Sequence, residues 1–160
     1  MATGLDNQLT RQIGEHLVTA ELGRRRVVAT PFAGNVPHID ILAHKDGKAF
    51  PIQVKTINQD SWQFQIDDFL CVSVKGNRQI VKGPKPGFDK RLLCIYVKIN
   101  DYGTDEFYIF RQGVLLKHFL KHYKGRAKPK NINSFHCAIW LKHLKRYKDN
   151  WKIIAKVSGR

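Results

Sequence analysis

Two short runs of alternating apolar and polar side chains around a turn constrain the fold of this chain more than any other feature. The first run, 39–44, is apolar at its odd positions, and the second run, 52–55, is apolar at its even positions. A Lys-Asp-Gly-Lys turn lies between them, so the pattern predicts a β-hairpin. Because successive side chains of a strand point to opposite faces, Asp40, Gln53 and Lys55 are predicted to share one face.

The three polar side chains on that face suit chemistry at a phosphodiester bond. Carboxylate and amide oxygens are ligands that hard divalent cations such as Mg²⁺ accept. A lysine beside such a cation orients a water molecule or stabilises negative charge that develops on a phosphate. The hairpin is therefore a candidate site for a divalent metal and a water molecule.

The spacing of these residues resembles the PD-(D/E)xK, or restriction endonuclease-like, nuclease superfamily. Its core hairpin carries an acid on one strand and an acid-x-Lys on the next. Upstream, Ile-Gly-Glu15-His-Leu-Val resembles the first helix of the family, which contributes an additional Glu. The resemblance covers residues 10–57. Within the superfamily, the chain is similar to Holliday junction resolvase-like and intron homing endonuclease members. The chain departs from the family pattern at two places. His38-Ile39 stands before Asp40 where the family has its Pro-Asp spacing, and Gln53 stands where the family usually has an acid.

The resemblance implies an α/β fold with a restriction endonuclease-like α-β-β-β-α-β core, a mixed central sheet and additional basic C-terminal helices. It implies an endonuclease that uses Mg²⁺ or Mn²⁺ to hydrolyse double-stranded DNA. The implied catalytic residues are Glu15, Asp40, Gln53 and Lys55. The implied metal ligands are Glu15, Asp40, Gln53 and the carbonyl of Val54.

Gln53 leaves the activity open, because an amide oxygen coordinates a metal without adding the charge of a carboxylate. One alternative is a catalytically inactive nuclease-fold protein that binds DNA or RNA. Another is a basic protein that docks on an acidic partner. At the level of single residues, Glu15 is alternatively a solvated surface residue, and Lys55 the partner of Asp40 in a structural ion pair.

The charge of the chain points to a polyanionic partner. The net charge is +15, from 28 Lys and Arg against 13 Asp and Glu. Residues 1–110 hold 14 basic and 12 acidic side chains, whereas residues 111–160 hold 14 basic side chains and a single acid, Asp149. We expect residues 111–160 to form the basic DNA-binding portion. The candidate DNA-contacting residues are Lys75, Arg78, Lys82, Lys85, Lys117, Lys121, Lys128, Lys130, Lys142, Lys145 and Arg146.

Length and composition predict one domain over residues 1–160, since a chain of this size buries a single core. Three cysteines, odd in number and far apart, indicate reduced packing residues. The chain starts without a signal-like segment and has no apolar run of membrane-spanning length, so we expect a soluble cytoplasmic protein without membrane partners. The oligomeric state stays open, and a homo-oligomer is one of the alternatives.

Periodicity and turn signals predict the remaining elements. A helix capped by Asp6 or Asn7 runs to about Leu22 and ends at Gly23, and further elements follow the hairpin. These are strands at 62–66, 69–74, 92–99 and 106–110, a basic loop at 75–87, and helices at 114–123 and 138–147.

Overall fold

The computed structural model describes residues 4–34, 36–125 and 131–158. These residues form two compact units. Unit 1 comprises the described residues of 1–62, 92–110 and 140–160, and unit 2 comprises those of 63–91 and 111–139. The hairpin that carries Asp40, Gln53 and Lys55 lies wholly in unit 1. That the two units make a single domain stays a prediction.

The secondary structure is mixed along the whole chain. In chain order the elements are α1 (Gly4–Arg24), β1 (Val28–Pro31), β2 (Ile41–Lys45), β3 (Lys48–Ile57), β4 (Ser61–Gln65), β5 (Leu70–Lys75), β6 (Arg78–Pro84), β7 (Leu93–Lys98), β8 (Glu106–Arg111), α2 (Gly113–His122), β9 (His136–Trp140), α3 (Leu141–Leu144) and α4 (Lys152–Ser158). Single 3₁₀ turns lie at Ile66–Asp68 and Lys145–Tyr147.

A five-stranded sheet with the order β1-β2-β3-β7-β8 forms the centre of the fold. β1 pairs with β2 and β2 with β3 in antiparallel orientation, whereas β3 and β7 are parallel, so the sheet is mixed. The β2–β3 hairpin closes at the predicted turn, where Asp46 has a φ of 51° and Gly47 a φ of 76°. Two consecutive positive φ values characterise the tight turns whose twist matches that of paired strands.

One face of this sheet carries the core of unit 1. The fully buried Val18 and Leu22 of α1 pack against Ile52 and Val54 of β3, and Ile154 of α4 belongs to the same cluster. The even positions of β3 therefore face the helices, as the alternation of the sequence predicts.

Unit 2 has a separate aromatic core. Phe64, Phe69 and Phe119 form a triangle of rings with centroid distances of 4.8 to 5.8 Å. The buried side chain of Gln79 donates to the carbonyls of Ile132 and Ser134 at 2.7 and 3.0 Å. Such internal bonds satisfy the buried amide and fix β6 within the unit.

The predicted fold class is confirmed: the protein is α/β with a mixed central sheet and starts with one helix and three strands. The connection from β3 to β7 differs from the implied pattern, which has a helix there. Residues 58–92 form β4, a 3₁₀ turn and the β5–β6 hairpin instead. Two parallel strands can be neighbours if the connection between them is long enough to return to the same end of the sheet. Here a connection made of strands serves that purpose instead of a helix.

Two further predictions of secondary structure are wrong in part. Most of the predicted loop 75–87 is a hairpin instead, because Lys75 pairs with Arg78 across a tight turn at Gly76, which has a φ of 56°, and β6 continues to Pro84. Residues 138–147 are not one helix, because β9 pairs with β4 before the four-residue α3 begins. Short apolar runs fit a strand and a helix equally well, and pairing decides between them.

The first helix also begins earlier than predicted. It starts at Gly4 and places Asp6 in its first turn instead of at the cap. It continues to Arg24, one residue past the predicted end. No helix in the described part of the chain is long and apolar enough to cross a membrane.

Candidate functional site

Asp40 is held in place by three hydrogen bonds just before β2 begins. Its backbone N–H donates to the carbonyl of Ile52 at 3.0 Å, and its own carbonyl accepts from Phe32 at 2.9 Å. Its carboxylate Oδ2 accepts from the backbone N–H of Val54 at 2.8 Å. The backbone and one carboxylate oxygen of Asp40 are thus fixed at the end of the β2–β3 pairing, and Oδ1 remains for other partners.

Arg11 joins the side chains of Glu15 and Asp40. Arg11 Nε donates to Glu15 Oε1 at 2.9 Å, and Arg11 Nη2 donates to Asp40 Oδ1 at 3.1 Å. Each carboxylate side chain is 12% exposed, whereas the arginine side chain is 50% exposed. The hydrogen bond to Glu15 raises the pKa of the Arg11 guanidinium above its ordinary value. Two carboxylates from distant parts of the chain therefore converge on one cation.

A close approach of α1 to β3 at Gly14 sets the position of Glu15. Gly14 is buried, and a Cβ built on it would overlap the hydroxyl of Thr56. Glycine inside a helix is unfavourable relative to alanine, by about 1 kcal/mol. The lack of a side chain at position 14 thus allows the helix to lie directly on the strand.

Gly14→Ala should destabilise the protein. We expect a loss of about 1–3 kcal/mol in the free energy of unfolding, measured in urea, because overpacking against Thr56 outweighs the gain in helix propensity. Gly23→Ala on the same helix is the matched control, since nothing lies within 4 Å of a Cβ there. It should be neutral or slightly stabilising. Equal effects of the two substitutions would show that the contact at Gly14 is unimportant.

Gln53 and Lys55 occupy the face of β3 opposite to the buried Ile52 and Val54, as predicted. The Cys94 thiol of β7 lies 3.9 Å from Gln53 Oε1. The backbone carbonyl of Lys55 accepts from Trp62 Nε1 at 3.1 Å. Gln53 thus contacts β7 and the Lys55 backbone contacts Trp62, whereas the side chains of Glu15 and Asp40 both contact Arg11.

The aromatic side chain beside Lys55 is deeply buried. Tyr96 of β7 is the register partner of Lys55 and packs on Trp62 at a ring-centroid distance of 5.3 Å. Burial raises the pKa of the Tyr96 hydroxyl well above its ordinary value. Tyr96 is consequently neutral over the physiological pH range, and it lies on β7 next to the Lys55 position of β3.

A cleft of about 350 Å³ opens beside the two carboxylates. Both Glu15 and Asp40 reach its wall, together with Arg11. Its lining residues are Gln8, Arg11, Gln12, Glu15, Phe32, Gly34 and Asp40. A charged group that enters this polar cleft can reach Glu15 and Asp40.

The donor set fits a divalent cation that prefers oxygen ligands. Glu15 Oε1 and Asp40 Oδ1 contact the same guanidinium, so two anionic oxygen donors face one cationic group. No group of three or more His, Cys, Asp and Glu side chains that would hold a metal exists among the described residues. Mg²⁺ suits such a sparse site, because proteins bind it through one or two carboxylates together with substrate phosphates.

The candidate DNA-contacting residues fall in both units. Those of unit 2 that the structure describes are exposed, and they are Lys75, Arg78, Lys82, Lys85, Lys117 and Lys121. Those of unit 1 are also exposed, and they are Lys142, Lys145 and Arg146. Lys128 and Lys130 lie outside the described residues. The predicted basic portion 111–160 is thus divided between the units.

Arg11, which contacts both Glu15 and Asp40, is a site residue that the sequence does not predict. Its spacing of four residues from Glu15 on a helix is a recognisable signal of an ion pair. Its second contact, with Asp40, spans 29 positions of the sequence, and no local pattern reveals it.

One solved structure shares the overall fold of this protein. The sequence matches no protein-family model and no curated protein. The structure is similar to that of a bacterial homing endonuclease, I-Ssp6803I, with a TM-score of 0.54 over 93% of both chains. The two sequences are 12% identical over this alignment. At that identity the similarity establishes a shared fold, and it does not establish a shared activity.

Proposed function

We propose that the protein is a metal-dependent endonuclease that hydrolyses phosphodiester bonds of double-stranded DNA. The observation that carries the proposal is that Glu15 and Asp40 share one cationic partner, Arg11, beside β3, the strand that bears Gln53 and Lys55. The nuclease-like fold and the net charge of +15 support it. One structural neighbour with this fold is a homing endonuclease, which makes DNA the natural substrate class.

The chemistry divides among the residues of the hairpin and α1. Asp40 and Glu15 would bind Mg²⁺ or Mn²⁺, with the Gln53 amide oxygen and the Val54 carbonyl as further oxygen donors. When bound, the metal would supply a water of lowered pKa and would neutralise charge on the phosphate. Lys55 orients that water or stabilises the negative charge that develops as the phosphate is attacked. The exposed lysines and arginines hold the DNA backbone.

The role of Gln53 is testable through metal dependence. Gln53→Glu should lower the Mg²⁺ concentration that gives half-maximal cleavage, because an added negative charge strengthens a site for a hard cation. Gln53→Ala should raise that concentration. The measurement is plasmid nicking across a Mg²⁺ titration. An unchanged half-maximal concentration in both variants would make Gln53 a bystander.

A second function has one observation in its favour. Gln53 Oε1 lies against the Cys94 thiol, and the described carboxylates at the site number two, so a weak or lost metal site is consistent with the geometry. The protein would then be an inactive nuclease-fold module that binds DNA or RNA.

Incubation of supercoiled plasmid DNA with the protein decides between these functions. The endonuclease proposal requires nicked or linear product with Mg²⁺ or Mn²⁺ and none with excess EDTA. Binding to DNA or RNA without metal-dependent product would favour the inactive module. Sedimentation of the same samples shows whether the active species is a homo-oligomer.

A further inference from the structure

Arg11 occupies the carboxylate oxygens that a metal would need. Its guanidinium contacts Glu15 Oε1 and Asp40 Oδ1, whereas Asp40 Oδ2 accepts from the backbone of Val54. A cation that binds Glu15 Oε1 and Asp40 Oδ1 from the cleft side must therefore displace the arginine. The guanidinium is a monovalent ion that holds two negative charges together in the metal-free protein.

The arginine is placed so that it can leave. Its side chain is 50% exposed, and exposed ion pairs contribute only modestly to stability. It also lines the cleft of about 350 Å³, so a guanidinium released from the carboxylates stays beside that space. An arginine fork matches the geometry of a phosphate group as well as that of a carboxylate.

We propose that Arg11 is an exchangeable cation that couples metal binding to phosphate binding. In the metal-free protein it neutralises Glu15 and Asp40, and when a divalent metal takes these oxygens it turns to the DNA phosphate in the cleft. This inference rests on the proposed function, because it needs the metal site. Arg11 therefore has opposite effects on the two ligands: it weakens the binding of the metal and strengthens the binding of DNA.

The first test uses the metal alone. Arg11→Ala should bind Mn²⁺ more tightly than the wild type in calorimetry without DNA. The expected gain is roughly three- to tenfold, the equivalent of two exposed ion pairs. Arg24→Ala is the matched control, because Arg24 lies on the same helix and pairs with Glu21 at 2.9 Å, away from the cleft. Its Mn²⁺ affinity should equal that of the wild type.

The second test measures the coupling. Ca²⁺ takes oxygen ligands of the same kind, and duplex DNA binding is measured by anisotropy with Ca²⁺ and with EDTA. The gain in DNA affinity on adding Ca²⁺ should be several times larger for the wild type than for Arg11→Ala, because only the wild type releases an arginine. Arg24→Ala should show the full wild-type gain.

A purely structural role of Arg11 predicts a different pattern. It would lower the thermal stability of Arg11→Ala and leave its Mn²⁺ affinity equal to or weaker than that of the wild type, which overturns the inference while the metal site stands. An equal Ca²⁺-dependent gain in all proteins would also overturn it. If neither the wild type nor Arg11→Ala binds Mn²⁺, the proposed metal site fails and the inference fails with it. Arg11→Gln, which keeps a hydrogen-bonding side chain without the charge, replaces Arg11→Ala if that variant does not fold.

Discussion

Asp40→Asn is expected to abolish metal-dependent DNA cleavage, with a loss of at least about 10²-fold in rate. The substitution removes the charge that holds the metal, and metal catalysis supplies several kcal/mol of transition-state stabilisation. It keeps an oxygen that accepts the hydrogen bond from Val54, so the end of the hairpin stays paired. Asp40→Ala removes both functions and would mix a loss of chemistry with a loss of structure. The measurement is the initial rate of plasmid nicking at saturating Mg²⁺.

Two comparisons make this result specific. Duplex DNA affinity measured in EDTA should stay within a few fold of the wild type, because the basic surface is untouched. Asp60→Asn is the matched control, since Asp60 pairs with Lys98 at 2.9 Å and is 71% exposed in the same unit. It should cleave at the wild-type rate. Wild-type cleavage by a folded Asp40→Asn protein would remove the hairpin from consideration as the active site.

The sequence predicts the core of unit 1 well because its signals are local. Strand alternation and a Lys-Asp-Gly-Lys turn specify the β2–β3 hairpin and place Gln53 and Lys55 on one face. The resemblance to nucleases adds Glu15, and the structure brings it to Asp40. The hairpin pattern can be recognised without the rest of the chain, whereas the approach of Glu15 to Asp40 joins distant segments and is seen only in the structure.

The missed features depend on contacts between distant segments. The bond from Arg11 to Asp40 and the pairing of β9 with β4 join positions far apart in the chain. The division into two units is also invisible, because each unit is assembled from separate segments. Local propensity cannot anticipate these arrangements, since tertiary pairing overrides it in short segments.

The β5–β6 hairpin gives a physical reason to expect phosphate contacts in unit 2. Lys75 and Arg78 are directly opposite each other in the register, and like charges in that position destabilise a strand pair. A phosphate bound between them would relieve the repulsion. DNA contacts at this segment are therefore compatible with the observed hairpin as well as with the loop that the sequence predicts.

Neutralising three exposed basic residues of unit 1 is expected to flatten the salt dependence of DNA binding. Each phosphate contact contributes about −0.9 to the slope of log K against log[salt], so the variant Lys142→Gln, Lys145→Gln, Arg146→Gln should lose up to about 2.7. Binding should weaken alike for all sequences, because phosphate contacts position the protein without reading bases. The measurement is duplex DNA affinity from low to moderate salt.

The matched variant in unit 2 is Lys75→Gln, Arg78→Gln, Lys82→Gln, which removes the same number of charges from exposed positions. A flattened slope in both variants would mean that DNA contacts both units. A change confined to the hairpin variant would show that Lys142, Lys145 and Arg146 form a solvated face and that DNA binds along β5 and β6. Wild-type slopes in both would contradict the proposal that these exposed side chains bind the DNA backbone, because removing three phosphate contacts must change the number of counterions released.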